Sequence, residues 1–342
     1  MGVSISVIVL NWNGGAYLAS CLDSLAIQDC GDLEIIVVDN ASTDDSVDMI
    51  RGRYRSVRLI ENKENVGFAA GNNVGIRQAK GDYVVILNND AELEADCLSK
   101  MRRALEKDGR YGACAARIYL KFEEGILDAA GIAICPDGLS IGRGRLERGE
   151  RYNREEEVFF GSGCCIMCRR EMLEDVKVGD DYFDEAFFMY ADDTDLGWRA
   201  ALRGWRCVYA PDALAYHLHS ASLENYSPLK AFLVERNRIW LQVKYFPFRM
   251  MLRGQFFTAF RYLFQAYGAV AGRGASGSFS KEHSKGELVT ILFRVWASAL
   301  RGLPAAWKKR RIIQKRRTIS TAEIRNLVKA YGIRAREIAL KA

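Results

Sequence analysis

Proline is scarce in this chain, with five residues against 30 glycines in a total of 342. That balance suits an α/β protein with many tight strand-to-helix turns. No stretch approaches the roughly 18 consecutive apolar residues of a membrane span. The longest uncharged segment of the C-terminal third, Tyr262–Gly272, has 11 residues and is interrupted by Gln265 and Gly268. The apolar start, Val3–Leu10, is short, has no basic residue before it and runs into Asn11-Trp12-Asn13. It reads as a first strand and not as a signal peptide. No internal repeat is present, and no second cysteine pair stands at zinc spacing from Cys165-Ile166-Met167-Cys168.

Hydrophobic residues make up 49% and charged residues 27%, which excludes a disordered or fibrous chain. A chain this long buries enough surface to fold without disulfides or a structural metal. Its nine cysteines are irregularly spaced in apolar or mixed stretches, the pattern of a reduced, cytosolic protein. The net charge of +6 is unevenly spread. Residues 301–342 hold 13 Lys and Arg against 2 acidic residues, leaving 36 against 41 in the rest. A mildly acidic body with a basic tail suits contact with a polyanion, either anionic lipid or nucleic acid.

The first half alternates strand and helix signals. Val3–Leu10, Leu33–Asp39, Val57–Glu61 and Tyr83–Leu87 read as strands. Ala16–Ala26, Asp44–Arg51, Ala69–Ala79 and Asp96–Glu106 read as helices. This alternation predicts a parallel sheet covered on both faces, with ligands at the C-terminal ends of strands. Further on, Gly112–Leu120, Ile132–Cys135, Val158–Arg169 and Trp205–Tyr209 read as strands, Asp193–Leu202 as a helix and Ala215–Ser222 as a loop. From Leu229 the signal turns helical, over about 229–246, 250–271, 286–302, 304–317 and 321–340, with a hinge at Gly272–Ser280.

Polar turns follow the apolar runs in a series. They are Asn11-Trp12-Asn13, Asp39-Asn40-Ala41-Ser42-Thr43-Asp44, Asn65-Val66-Gly67 through Gly71-Asn72-Asn73, and Asn88-Asn89-Asp90. Phe187-Phe188-Met189-Tyr190-Ala191-Asp192-Asp193-Thr194-Asp195-Leu196-Gly197-Trp198-Arg199 closes it. Each turn alone also fits a plain turn or helix start. Together, in this order, they resemble family 2 of the glycosyltransferases over about residues 3–245, and within it the rhamnosyltransferase-like group.

The resemblance implies a GT-A fold, a Rossmann-like and mostly parallel sheet flanked by helices. It implies a catalytic domain over 1–245, followed by a helical, basic, amphipathic region over 246–342. The donor would be a UDP- or dTDP-sugar, with rhamnose as the first guess. Asn11, Asp39, Asn65, Gly67, Asn73, Asn88 and Asn89 would line its site. Asp39 can accept the N3–H of a pyrimidine base, and Gly67 can admit backbone close to the ligand. A departing diphosphate calls for Mg²⁺ or Mn²⁺. The family's Asp-x-Asp motif falls on Asn88-Asn89-Asp90, where only Asp90 is anionic. His217 would be the second metal ligand, with His219 as its rival. Inversion by one in-line displacement needs a single base. The resemblance places it at Asp193, with Asp192 as neighbour.

Asp195 and Arg199, four residues apart, read as a structural helix pair. Arg236 and Arg238 suit either phosphate or a structural ion pair. The Gln-x-x-Arg-Trp motif of processive synthases is lacking, which argues for the addition of one or a few sugars. In the C-terminal third, aromatic and aliphatic residues recur at helical spacing beside Lys308-Lys309-Arg310-Arg311 and Lys315-Arg316-Arg317. That pattern suits a helix lying in a membrane interface, or a solvated helical subdomain or oligomer contact. The expectation is a peripheral enzyme on the inner face of the cell membrane, acting on a lipid-linked glycan acceptor, with no nucleic-acid partner. Two rivals are a nucleotidyltransferase, for which no Gly-rich basic loop follows the first strand, and a nucleic-acid-binding protein, which would leave the acidic turns unexplained.

Overall fold

The structure is a computed structural model and describes residues 4–218, 227–272 and 285–340. The chain divides into two compact units. One runs to Ile132 and resumes at Gly142; the other combines Ala133–Ile141 with the C-terminal helices.

The first unit is built on a mixed sheet. Strands β1 (Ile5–Asn11), β2 (Leu33–Asp39), β3 (Arg58–Glu61) and β4 (Tyr83–Asn88) are parallel, in spatial order β4-β1-β2-β3. Val7, Ile8 and Val9 of β1 are all fully buried, as a strand covered on both faces requires. Helices α1 (Leu18–Ala26), α2 (Ser46–Arg53), α3 (Gly67–Gln78) and α4 (Cys97–Glu106) provide that cover. In α1, Leu18, Leu22 and Leu25 face the core, as their spacing predicts.

Past β4 the sheet is no longer uniformly parallel. Strand β5 (Ala91–Leu93) follows the Asn88–Asp90 turn, and β6 (Tyr111–Leu120) pairs antiparallel with β7 (Leu127–Ala129). Next in the chain, β8 (Ile132–Ile134) and β9 (Ser140–Gly142) form a separate two-stranded sheet, nearly all of it within the Ala133–Ile141 segment of the second unit. The segment expected to be one strand over 158–169 is two, β10 (Glu156–Val158) and β11 (Cys165–Arg169). They join different partners, since β11 lies antiparallel between β4 and β6 while β10 pairs with β12 (Arg206–His217). Helices α5 (Arg170–Val176) and α6 (Asp192–Leu202) complete the unit.

The segment from Ala215 was expected to be a loop, yet β12 runs through His217. Its last residues are held from both sides, parallel to β6 and antiparallel to β5. The ladder shifts register between Ala210 and Leu214. Pro211 lies in that shift, where its missing N–H breaks no ladder bond. The rival His219 lies outside the described residues.

All nine cysteines are free, and eight are buried. They pack as apolar side chains, as expected of Cys165 and Cys168.

The second unit is helical. It contains α7 (Pro228–Tyr245), α8 (Phe248–Ala271), α9 (Lys285–Arg316), α10 (Thr321–Ala330) and α11 (Ala335–Leu340). The expected boundary at 245 therefore moves, because α7 belongs with these helices. Trp240 of α7 donates from Nε1 to the Ala299 carbonyl at 3.1 Å, and its ring fills the space a Cβ on Gly302 would need. The two helices expected on either side of Pro304 are one helix. Proline removes an intrahelical bond, and the Trp240 contact braces α9 just before that gap.

A buried ion network forms the polar centre of this unit. Asp137 lies 2.9 Å from Arg261, Arg261 lies 2.7 Å from Glu235, and Arg238 lies 2.6 Å from Glu235. Burial alone would raise the Glu235 pKa, but the Arg238 and Arg261 guanidiniums overcome it and hold the carboxyl at about 2. Arg238 is thus a structural ion-pair residue, and Arg236 stacks over Trp240 at 4.5 Å.

Candidate active site

The C-terminal ends of β1, β2 and β4 align, with Asn11 opposite Asp39 and Leu10 opposite Asn88. Asn11 is buried at this edge and joins its neighbours. Its amide nitrogen donates to Asp39 Oδ1 at 2.8 Å and to Ser46 Oγ at 2.9 Å, and its oxygen accepts from Asn89 Nδ2 at 2.9 Å. Asp39 is only 2% exposed. Its oxygens also accept from Ser42 Oγ at 2.6 Å and the Ser42 N–H at 2.9 Å. Asp39 therefore organises the turn after β2 from the strand end.

The next turn brings the two expected metal ligands together. His217 pairs with Ala91 across the β5–β12 ladder, one residue past Asp90. His217 Nε2 lies 3.2 Å from Asp90 Oδ1, and the Asn88 amide nitrogen lies 3.3 Å from the same ring nitrogen. On the other side of the ring, Nδ1 lies 2.7 Å from Asp128 Oδ2. Burial works against an imidazolium here, but the Asp128 and Asp90 carboxylates beside the ring outweigh it and raise the His217 pKa. Burial pushes the Cys164 thiol up to about 12, so it is neutral at ordinary pH.

Asp128 is a site residue that the sequence reading missed. Its signal was an acidic residue inside the apolar run Leu127-Asp128-Ala129-Ala130. Unpaired, a carboxylate there would be costly to bury. Arg145 holds its other oxygen.

The donor set suits a divalent cation. Asp90 offers a hard carboxylate oxygen, and His217 an imidazole nitrogen of the kind Mn²⁺ accepts. Among the described residues, no group of three or more His, Cys, Asp or Glu side chains is arranged to hold a metal ion by itself. Asp90 and His217 would supply two donors, with phosphate oxygens and water completing the shell.

The carboxylates of α6 stand at its first turn. Asp193 is half-buried. Its Oδ2 accepts the Gly163 N–H at 3.0 Å, and its Oδ1 the Thr194 N–H at 2.6 Å. Burial raises its pKa, with these hydrogen bonds working the other way. Asp192 is buried and raised well above the ordinary range, by burial first and by the Asp193 charge second. The two clusters share one wall of the site, because the Cys164 carbonyl beside Gly163 accepts the Asn88 N–H at 2.9 Å. Asp195 and Arg199 form a buried ion pair at 3.0 Å, and the guanidinium also donates to the Val176 and Tyr182 carbonyls.

The expected donor-side loop is held by contacts within the protein. Asn65 Oδ1 accepts the Gly67 N–H at 2.9 Å and folds the turn before α3. Gly67 has φ +83°, and the chain of Phe188 comes close to it. Asn73 is buried, with its nitrogen donating to the Phe183 carbonyl at 2.8 Å and its oxygen accepting the Phe183 N–H at 2.8 Å. These residues brace the segment that leads into Asp192 and Asp193. Phe188, Tyr190 and Ala191 all have positive φ. Strain of this kind in non-glycine residues clusters at functional sites.

Comparison with known proteins shows the family. The profile of glycosyl transferase family 2 matches residues 6–177, and the chain belongs to that family. It is a glycosyltransferase with a GT-A fold. It is 28% identical over 283 residues to an N-acetylglucosaminyl-diphospho-decaprenol L-rhamnosyltransferase of Mycobacterium tuberculosis, covering 73% of this chain and 89% of the relative. Among solved structures, S. aureus TarS 1–349 in complex with UDP matches with a TM-score of 0.54 at 18% identity, over 96% of this chain and 91% of that one. The mannosyltransferase PcManGT from Pyrobaculum calidifontis, in complex with GDP-Man and Mn²⁺, matches with a TM-score of 0.51 at 20% identity, over 90% and 88%.

Proposed function

We propose that this enzyme transfers a sugar, rhamnose as the first choice, from a UDP- or dTDP-sugar to a lipid-linked glycan acceptor. The observation that carries the reading is the meeting of Asp90 and His217 at the C-terminal edge of the sheet, 3.2 Å apart. The decaprenol-linked substrate in the mycobacterial relative's name supports the acceptor class.

The nucleoside would lie over the Asn11–Asp39 edge and the diphosphate toward Asp90 and His217. Those two residues would hold Mg²⁺ or Mn²⁺, which neutralises the departing diphosphate. Asp193 would take the proton of the acceptor hydroxyl as its oxygen bonds to the anomeric carbon. The bond from that carbon to the diphosphate breaks, the nucleoside diphosphate leaves with the electron pair, and the centre is inverted.

The acceptor class also accounts for the helical unit. Phe248, Leu252, Phe256, Phe260, Leu263, Tyr267 and Val270 form an exposed apolar stripe along α8, whose exposed charged residues are Arg249 and Arg253. Helix α9 exposes Val289, Phe293, Trp296, Leu300 and Trp307 ahead of its basic end. No helix of the described residues is long and apolar enough to cross a membrane. We take the two stripes as surfaces that lie in the interface of an anionic membrane, on its cytoplasmic side. Arg310 is an exception, since it donates inward to the Val243 and Phe246 carbonyls.

Titrating the purified protein with UDP, dTDP, GDP and ADP, with and without Mn²⁺, tests the assignment. Metal-dependent preference for UDP or dTDP is expected. Binding of none of the four would overturn it.

A further inference from the structure

Asp128 holds the Nδ1 side of the His217 ring. It lies behind His217 in the three-residue strand β7, all of it buried, and is 6% exposed. One carboxylate oxygen meets His217 Nδ1 at 2.7 Å, and the other is held by Arg145. The imidazole is thus fixed between two carboxylates, with Asp128 on Nδ1 and Asp90 on the Nε2 side at 3.2 Å. His217 itself is only 9% exposed, so its ring has little freedom to turn.

We infer that Asp128 is a positioning residue for the metal site: clamped by Arg145, it keeps the proton on Nδ1 of His217 and aims Nε2 at the cation bound by Asp90. This rests on the reading of Asp90 and His217 as metal ligands. A carboxylate on the far nitrogen of a ligating histidine fixes the tautomer, orients the ring and raises the basicity of the ligating nitrogen. Arg145 adds a second constraint, because a carboxylate held at both oxygens cannot rotate away from the ring. The same triad serving only stability would leave metal affinity untouched when Asp128 is changed.

The test is Mn²⁺ binding to the full-length protein, read from the electron paramagnetic resonance of free Mn²⁺, with MnCl₂ alone and in saturating UDP or dTDP. Asp128→Ala, Asp128→Asn and Asp90→Asn are compared with wild type, and thermal unfolding is recorded for each. Asp128→Ala is expected to weaken Mn²⁺ binding by roughly 10- to 100-fold. Asp128→Asn still offers an oxygen to Nδ1–H and should lose less. Turnover should fall in the same order. Should Asp128→Ala fail to fold, the near-isosteric Asn variant decides, and wild-type affinity in it overturns the proposal. If Asp90→Asn loses Mn²⁺ while both Asp128 variants keep it, the positioning role fails and the metal site stands. If wild type binds no Mn²⁺, or Asp90→Asn binds as wild type does, the metal site itself is refuted and the positioning role with it.

Discussion

The backbone carbonyl of Phe188 caps helix α3 beside Gly67. It accepts the Phe68 N–H at 2.6 Å and the Ala69 N–H at 3.2 Å, and it lies 2.6 Å from where a Cβ on Gly67 would be. A helix start that could have received an anion is instead taken by the protein's own chain. In return the strained segment before Asp192 is pinned at one point.

Gly67→Ala tests that pin. A side chain at φ +83° costs about 1–2 kcal/mol, and the carbonyl behind it cannot yield without moving Phe188. Turnover should drop by more than the loss of stability explains, while nucleotide affinity changes little. Kinetics and urea unfolding on the same preparation give the comparison.

Asp193→Asn should lower turnover by about 10²- to 10⁴-fold, the usual contribution of a positioned base. The nucleotide dissociation constant should stay near wild type. Because burial raises the Asp193 pKa, the acidic limb of the wild-type kcat/KM profile should lie above the ordinary carboxylate range. Normal turnover in the variant would remove Asp193 from the chemistry.

Asp192 holds a proton more tightly folded than unfolded. Its ionisation therefore costs stability as pH rises from the unfolded carboxylate pKa, about 3.9, through its higher folded value. Asp192→Asn should raise the melting temperature above that window and leave it unchanged below. Melting curves from pH 3.5 to 8 would show whether the gain appears with rising pH.

Asn73→Ala would strip the buried Phe183 N–H and carbonyl of their partner, at a cost of about 1–3 kcal/mol. Nucleotide affinity should hold in the fraction that remains folded. A drop in affinity without a drop in stability would return Asn73 to the donor site.

Phe256 and Phe260 are 71% and 59% exposed, so the double change to glutamate should spare the fold. It places two negative charges on the α8 stripe. Co-flotation with phosphatidylglycerol vesicles should fall sharply, with secondary structure by circular dichroism unchanged. Undiminished flotation would assign the stripe to another contact.

Sequence alone determined the parallel half of the sheet and the strand-end turns that carry Asp39 and Asp90. Runs such as Leu33–Asp39 and Tyr83–Leu87 carry their strand signal locally, and a polar residue just after such a run must lie at a strand end. The amphipathic spacing of α8 was legible for the same reason. The tertiary structure decided which of those polar groups act together. The neighbours of Gly67 and Asn73, Phe188 and Phe183, lie more than 100 residues away in the chain, so no local pattern shows them. The extension of β12 through His217 depends on pairing with β5 and β6, which no local pattern encodes. Asp128 lies 89 residues from His217, and an aspartate inside an apolar run has no assigned purpose until the fold supplies the imidazole that makes its burial tolerable.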